Sequence, residues 1–200
     1  SVGFNGASLA TLVNEAALLA LREQQMQVTT EHFYAVKDKV AYGKKKIAIL
    51  SEQQKQFRAR YLAAKAALAY AYKLPFEKVM LSSETIKPQM GAPMIQSEIE
   101  ARIKVLLGGM AACDIHFDEH ATNVHNDLKQ AKQLALEMVD QYGMGQSVVA
   151  LVNEDVAILD TLYKETKVQL AQLESAIVAI ESVLMEKESI TKEHIGELIG

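Results

Sequence analysis

Apolar residues recur along most of the chain at intervals of three and four, the period of a helix. Leu9, Leu12, Val13, Ala16, Leu19 and Ala20 form the apolar face of a helix over residues 5–25, with Asn5 or Ser8 as its cap. A second helix starts at Val28-Thr29-Thr30, with Phe33, Val36 and Val40 turned inward. The third, centred on Lys55 to Tyr72, contains neither Gly nor Pro and is rich in the strong helix formers Ala and Leu. Ser51 suits its N-cap, and Gln54 three residues on completes a capping box. Phe57, Tyr61, Ala64, Leu68 and Tyr72 fall on one face of it.

Pro75 closes this region, and FEKVMLSS reads as a short strand with Val79 and Leu81 on one side. Residues 82–96, with Pro88, Gly91 and Pro93, read as turns. Helical periodicity resumes from Gln96 to Ile115 and again over 127–142, where Leu128, Ala131, Leu134, Ala135 and Met138 point inward and Gly143 suits a left-handed stop. Residues 154–187 form one long helix or two. Leu170, Leu173, Ile177, Ile180 and Leu184 step by three and four, a stripe for packing on a neighbouring helix or a second copy. The fold class is mainly α, with a small strand region.

Composition narrows the class. Two hundred residues allow one or two domains, and 50% apolar with 23% charged is ordinary for a globular protein. A net charge of −4 gives no reason to expect nucleic acid as a partner. The charge is uneven: Lys44 to Lys65 carries seven basic residues against Glu52 alone, and Leu151 to Gly200 carries ten acidic against four basic. Solvated helix faces are the plain reading; a basic face beside an anionic membrane or an acidic neighbour is the other. The one cysteine, Cys113, excludes an intramolecular disulfide and fits a reducing compartment. There is no run of 18 apolar residues and no signal peptide, and the chain opens in mid-pattern, as a soluble fragment of something longer would.

Five segments together resemble one known family. GFNGASLATLVNEAALLALRE, residues 3–23, is similar to the lid of an AAA+ ATPase, specifically that of FtsH, the membrane-anchored ATP-dependent zinc protease. Gly3, Phe4, Gly6, Ala7, Leu9, Leu12, Val13, Asn14, Glu15, Ala16 and Ala17 match its pattern, and Ser8 stands where the family has Asp. KDKVAYGKKK resembles the family's link from lid to protease domain, which implies a lid portion over 1–45 and a peptidase-like domain over 46–200. LLGGMAACD keeps the family's Gly pair at Gly108 and Gly109 but has Met110 for its Arg and Cys113-Asp114 for its Glu pair. Glu119-His120 and Asn126-Asp127-Leu128 resemble the loop and helix start that follow, and MEKESITKEHIGELIG resembles the family's C-terminal end. The chain is shorter than the family between the third helix and Gln96.

The resemblance places the family's His-Glu-x-x-His motif on Tyr61-Leu62-Ala63-Ala64-Lys65. That motif sets two imidazoles one helical turn apart to bind Zn²⁺, with the Glu as general base. Here Tyr61 and Lys65 replace the ligands and Leu62 the base, and only Asp127 remains of the ligand positions. An ammonium donates hydrogen bonds and repels a dication, and Leu accepts no proton. The expectation is a proteolytically silent domain with no zinc of its own, ATP belonging to the family's upstream ATPase domain. Lys65 and Asp127 are expected to pair across the vacated position; the other reading has Lys65 reaching solvent and Asp127 capping its helix. Gly6 and Ala7 either lie beside nucleotide, as the resemblance implies, or only open a helix.

His116-Phe-Asp-Glu119-His120 also spells the inverted pattern His-x-x-Glu-His. With His125 and Asp127 it offers an alternative, relocated zinc site of an active metalloendopeptidase. A plain helical docking module is the third reading. The resemblance further implies a hexameric ring, possible association with an active FtsH-type protease, and a place on the cytoplasmic side of the inner membrane through upstream segments.

Overall fold

The computed structural model describes residues 6–23, 25, 27–42, 51–82 and 94–200. The chain divides into two compact units, Ser1–Ile49 and Leu50–Gly200, each described by itself. The first is a helical hairpin of α1 (Gly6–Arg22) and α2 (Thr30–Tyr42). Among its described residues, Ala16, Ala20 and Val36 are the buried apolar ones. The turn between the helices is held by His32: the Thr29 N–H donates to its Nδ1 at 2.9 Å, and its Nε2 lies 3.0 Å from Glu23 Oε2. The side chain of Val40 lies outside the described residues, as does the stretch 83–93 that reads as turns.

The second unit is a helical bundle built around α3 (Glu52–Ala71). Ser51 Oγ accepts the Gln54 N–H and Gln54 Oε1 accepts the Ser51 N–H, so the capping box expected from the sequence forms. After Tyr72 the backbone turns left-handed at Lys73 (φ 56°), and Pro75 prevents the helix from resuming. The face marked by Tyr61, Ala64 and Leu68 is buried, and so are the others: Ala59 through Ala69 are all buried, whichever way they point. Six of these eleven residues are Ala, and such short side chains let neighbouring helices approach on every side.

Those neighbours are α4 (Gln96–Phe117), α7 (Glu174–Lys187) and α8 (Lys192–Ile199). The Gly pair sets the approach of α4. A Cβ on Gly108 would lie 2.3 Å from Leu68 Cδ1, and one on Gly109 would lie 2.6 Å from Tyr61 ring carbons. Val105, Ala111, Ala112 and Cys113 of α4 join the core on α3. Ile99, Ile103 and Leu107 instead form a second core with α5 (His125–Asp140) and α6 (Glu154–Gln172). A 3₁₀ turn, Thr122–Val124, leads into α5, and Gly143 beyond it adopts φ 60°.

The strand expected near Val79 exists as β1 (Lys78–Met80). It pairs antiparallel with β2 (Ser189–Thr191), Val79 opposite Ile190, a partner the sequence pattern did not suggest. Residues 154–187 form two helices, bent by 80° at Leu173. The bend changes the reading of their stripe. Leu170, Ile177, Ile180 and Leu184 lie inside the domain's own core, so they are not surface for a second copy. No single described helix is long and apolar enough to cross a membrane.

Candidate functional site

Tyr61 and Lys65 stand one turn apart on α3, both facing the start of α5. Asp127 is the third residue of α5, where the positive end of the helix dipole favours a carboxylate. The Tyr61 hydroxyl donates to Asp127 Oδ2 at 2.5 Å, and Lys65 Nζ donates to the same oxygen. Tyr61 and Lys65 are each 1% exposed and Asp127 3%, so water does little of the screening. Lys65 Nζ also sits 5.5 Å from the centre of the Tyr61 ring. Asp127 therefore does not act as a simple helix cap, and Lys65 does not reach solvent.

A cavity of about 90 Å³ adjoins the trio. Its apolar wall includes Leu74, Pro75 and Leu134, and Arg102 and Gln130 line it with Lys65 and Asp127. Leu62, where the resemblance places the family's base, is packed in the core.

These residues do not fit a zinc ion. Zinc takes lone pairs from three or four protein ligands, whereas Tyr61 and Lys65 both present protons to Asp127. Lysine and tyrosine ordinarily titrate near 10, so freeing each as a ligand at pH 7 costs roughly 4–5 kcal/mol. Two such costs consume most of the ~10–16 kcal/mol that a good zinc site supplies. A neutral imidazole incurs neither.

The alternative cluster is not assembled. α4 ends at Phe117, and Asp118 turns left-handed (φ 52°), so His116 and His120 do not share a helical face. His116 packs edge-on to Phe117 and lines an open groove with Gln56 and Glu181. His120 lines a different groove with Phe57 and Asn123, its Nε2 3.7 Å from Asp114. His125 opens α5, and Asp127 is engaged by α3. Among the described residues, no three His, Cys, Asp or Glu side chains converge to hold a metal. Gly6 and Ala7 open α1, and their surroundings lie outside the described residues.

The plain reading of the basic run as a solvated face is also corrected, at Arg60 as well as Lys65. Arg60 is 1% exposed; its Nη2 lies 2.7 Å from Glu174 Oε1 and its Nη1 3.3 Å from Glu181 Oε2. This joins α3 to α7 and matches part of the basic run to part of the acidic tail. A basic residue flanked by Ala59 and Tyr61 was the available signal. Beside it, burial pushes the Cys113 thiol up to about 12, with Arg60 opposing and Glu181 reinforcing. Asp114, one residue on, accepts from Lys167 Nζ and from the Tyr163 hydroxyl at 3.1 Å. The Lys167 hydrogen bond is the main reason its carboxyl lies below the usual range.

Comparison with known proteins agrees with the resemblance read from the sequence. Residues 78–157 match Peptidase family M41, and residues 1–35 match the AAA+ lid domain. The ATP-dependent zinc metalloprotease FtsH 2 of Symbiobacterium thermophilum is 30% identical over 231 positions, covering 99% of this chain and 39% of the relative. That alignment is longer than the chain's 200 residues, so the relative carries residues this chain lacks. FtsH of Syntrophotalea carbinolica is 38% identical over 156 positions, 73% of this chain and 24% of the relative. FtsH 2 of Thermoanaerobacter sp. (strain X514) is 30% identical over 218 positions, 98% of this chain and 43% of the relative. The chain thus spans less than half the length of each of these relatives. With a lid segment, a family M41 segment and similarity running through nearly all its residues, the chain belongs to the FtsH family.

Proposed function

We propose that this chain is a proteolytically silent FtsH homologue, serving as a scaffold, adaptor or unfoldase partner within an AAA+ assembly. One observation carries the reading. Lys65 Nζ and the Tyr61 hydroxyl both donate to Asp127, the one group left at the family's ligand positions. The carboxylate is taken up by these two donors, and Leu62, where the resemblance places the general base, is buried hydrocarbon that takes no proton from water. The relatives are named as zinc proteases; this chain keeps their fold without that chemistry.

Assembly into a hexameric ring, alone or with an active FtsH-type protease, is the form this role takes. Membrane attachment on the cytoplasmic side would come through parts of the parent protein outside this chain, and Gly6 and Ala7 would lie toward nucleotide held by its ATPase portion. The apolar side chains open to association are not the stripe on the last helices. Val148, Val149, Leu151, Val152 and Val156 cluster before and at the start of α6, Val152 being 92% exposed.

Casein degradation tests the reading. The full-length protein, with its ATPase portion, is incubated with casein, ATP and Zn²⁺, alone and mixed with an active FtsH-type protease. The expected result is no cleavage by the protein alone above a chelator-treated control, with co-sedimentation in the mixture. Zinc-dependent cleavage that Asp127→Ala abolishes would refute it.

A further inference from the structure

We infer that the family's metal position has become a metal-excluding cross-link, in which the Lys65 ammonium replaces the cation as the tie between α3 and α5. The inference rests on the silent-homologue reading and deepens it, because a domain can lose proteolysis and still keep a metal. Three observations carry it. First, both donors on α3 converge on one oxygen of Asp127, so the carboxylate's charge is already balanced. A divalent ion at that oxygen would face an ammonium at contact distance, in a place where none of the three residues exceeds 3% exposure.

Second, the Tyr61 ring is hemmed in on its α4 side. The Tyr61 ring lies so close to α4 that even a methyl group on Gly109 would meet it at 2.6 Å. The ring has no space to swing away from Asp127 on that side. Third, no other donor set is at hand. Among the described residues there is no trio of His, Cys, Asp or Glu to complete a coordination shell around Asp127.

Two consequences follow. The fold of this unit does not depend on divalent metal. Asp127 nevertheless still points at the residues one turn apart on α3, so imidazoles at those two positions, with the carboxylate, restore a three-ligand cation site. The cross-link differs from a binding site by two side chains.

The test uses the full chain, stripped with EDTA. Melting temperature is measured with added Zn²⁺ and with EDTA, and Co²⁺ is titrated while its visible absorption is followed. Wild type should show no metal-dependent shift in melting and no saturable Co²⁺ absorption. The Tyr61→His/Lys65→His variant should bind Co²⁺ stoichiometrically, with the intense bands of a four-coordinate ion. Adding Asp127→Ala should weaken that binding about 100-fold or more. A wild-type protein that takes up stoichiometric Zn²⁺, and loses it on Asp127→Asn, overturns the inference. So does a double-His variant that melts cooperatively yet binds Co²⁺ no better than wild type. If the double-His variant does not fold, the wild-type melting comparison decides alone: a Zn²⁺-dependent rise that Asp127→Asn removes overturns the inference, and its absence supports it. Zinc uptake without casein cleavage sinks this inference and leaves the proposed function standing. Casein cleavage by metal-free protein does the reverse.

Discussion

Replacing Lys65 by Met removes the ammonium while keeping most of the side-chain volume. It leaves the Asp127 side chain, in a residue 3% exposed, with the Tyr61 hydroxyl as a remaining donor. Breaking a buried ion pair from one side costs about 3–5 kcal/mol, because the surviving charge is left in a poorly screened place. For a chain of this size, that lowers the melting temperature by roughly 6–20 °C. Tyr61 still satisfies one lone pair, so the lower half of the range is expected. Asp127→Asn alone should cost a similar amount, since it strands the ammonium. The informative variant is the double, Lys65→Met/Asp127→Asn, which buries no net charge and keeps the Tyr61 hydrogen bond to an amide oxygen. It should fall short of the sum of the singles by about 2–3 kcal/mol. The assay is urea unfolding followed by far-ultraviolet circular dichroism, suited to a helical chain with no Trp, with the slope unchanged between variants. Losses that add to within about 0.5 kcal/mol would show that the two residues do not act as a pair.

Three further expectations can be checked. Gly109→Ala places a methyl group 2.6 Å from the Tyr61 ring, so it should displace Tyr61 from Asp127 and destabilise by about 1–3 kcal/mol, while Ala112→Gly on the same helix leaves that hydrogen bond intact; aromatic NMR shifts of Tyr61 would report the difference. The Cys113 thiol, buried and pushed up to about 12, should react with Ellman's reagent at pH 8 only at the rate of unfolding, and rapid labelling of the native protein would contradict its placement. Asp114 has a lowered pKa in the folded state, so its contribution is present above the ordinary carboxylate value of 3.8 and is lost as pH falls below it towards the folded value. Asp114→Asn should therefore reduce stability at pH 6 by about 1 kcal/mol or less, given its partly open setting, and make no difference near pH 2; equal losses at both pH values would rule out the Lys167 pairing as the cause.

Local information decided a large part of this protein. Helical periods, the Ser51–Gln54 box and the left-handed Gly143 are settled within a few residues of chain, so the pattern of positions displays them. If the resemblance places the motif correctly, Tyr61, Lys65 and Leu62 stand where two imidazoles and a carboxylate would, and that much is legible without a structure, because the roles belong to side-chain type. The pattern could not say which faces are covered. It marked one apolar face of α3, whereas the fold buries every face over Ala59–Ala69; it left the stripe on α6 and α7 to a neighbouring helix or a second copy, and the fold gives it to helices of the same domain. Nor could charge along the chain reveal that Arg60 meets Glu174 and Glu181, or that Lys65 turns to Asp127. These partners stand 114, 121 and 62 residues apart, and only packing brings them within reach. Periodicity reports the conformation of a segment from its own residues; the direction a buried charge takes is set by whatever opposite charge the rest of the chain folds against it, where there is too little water to serve instead.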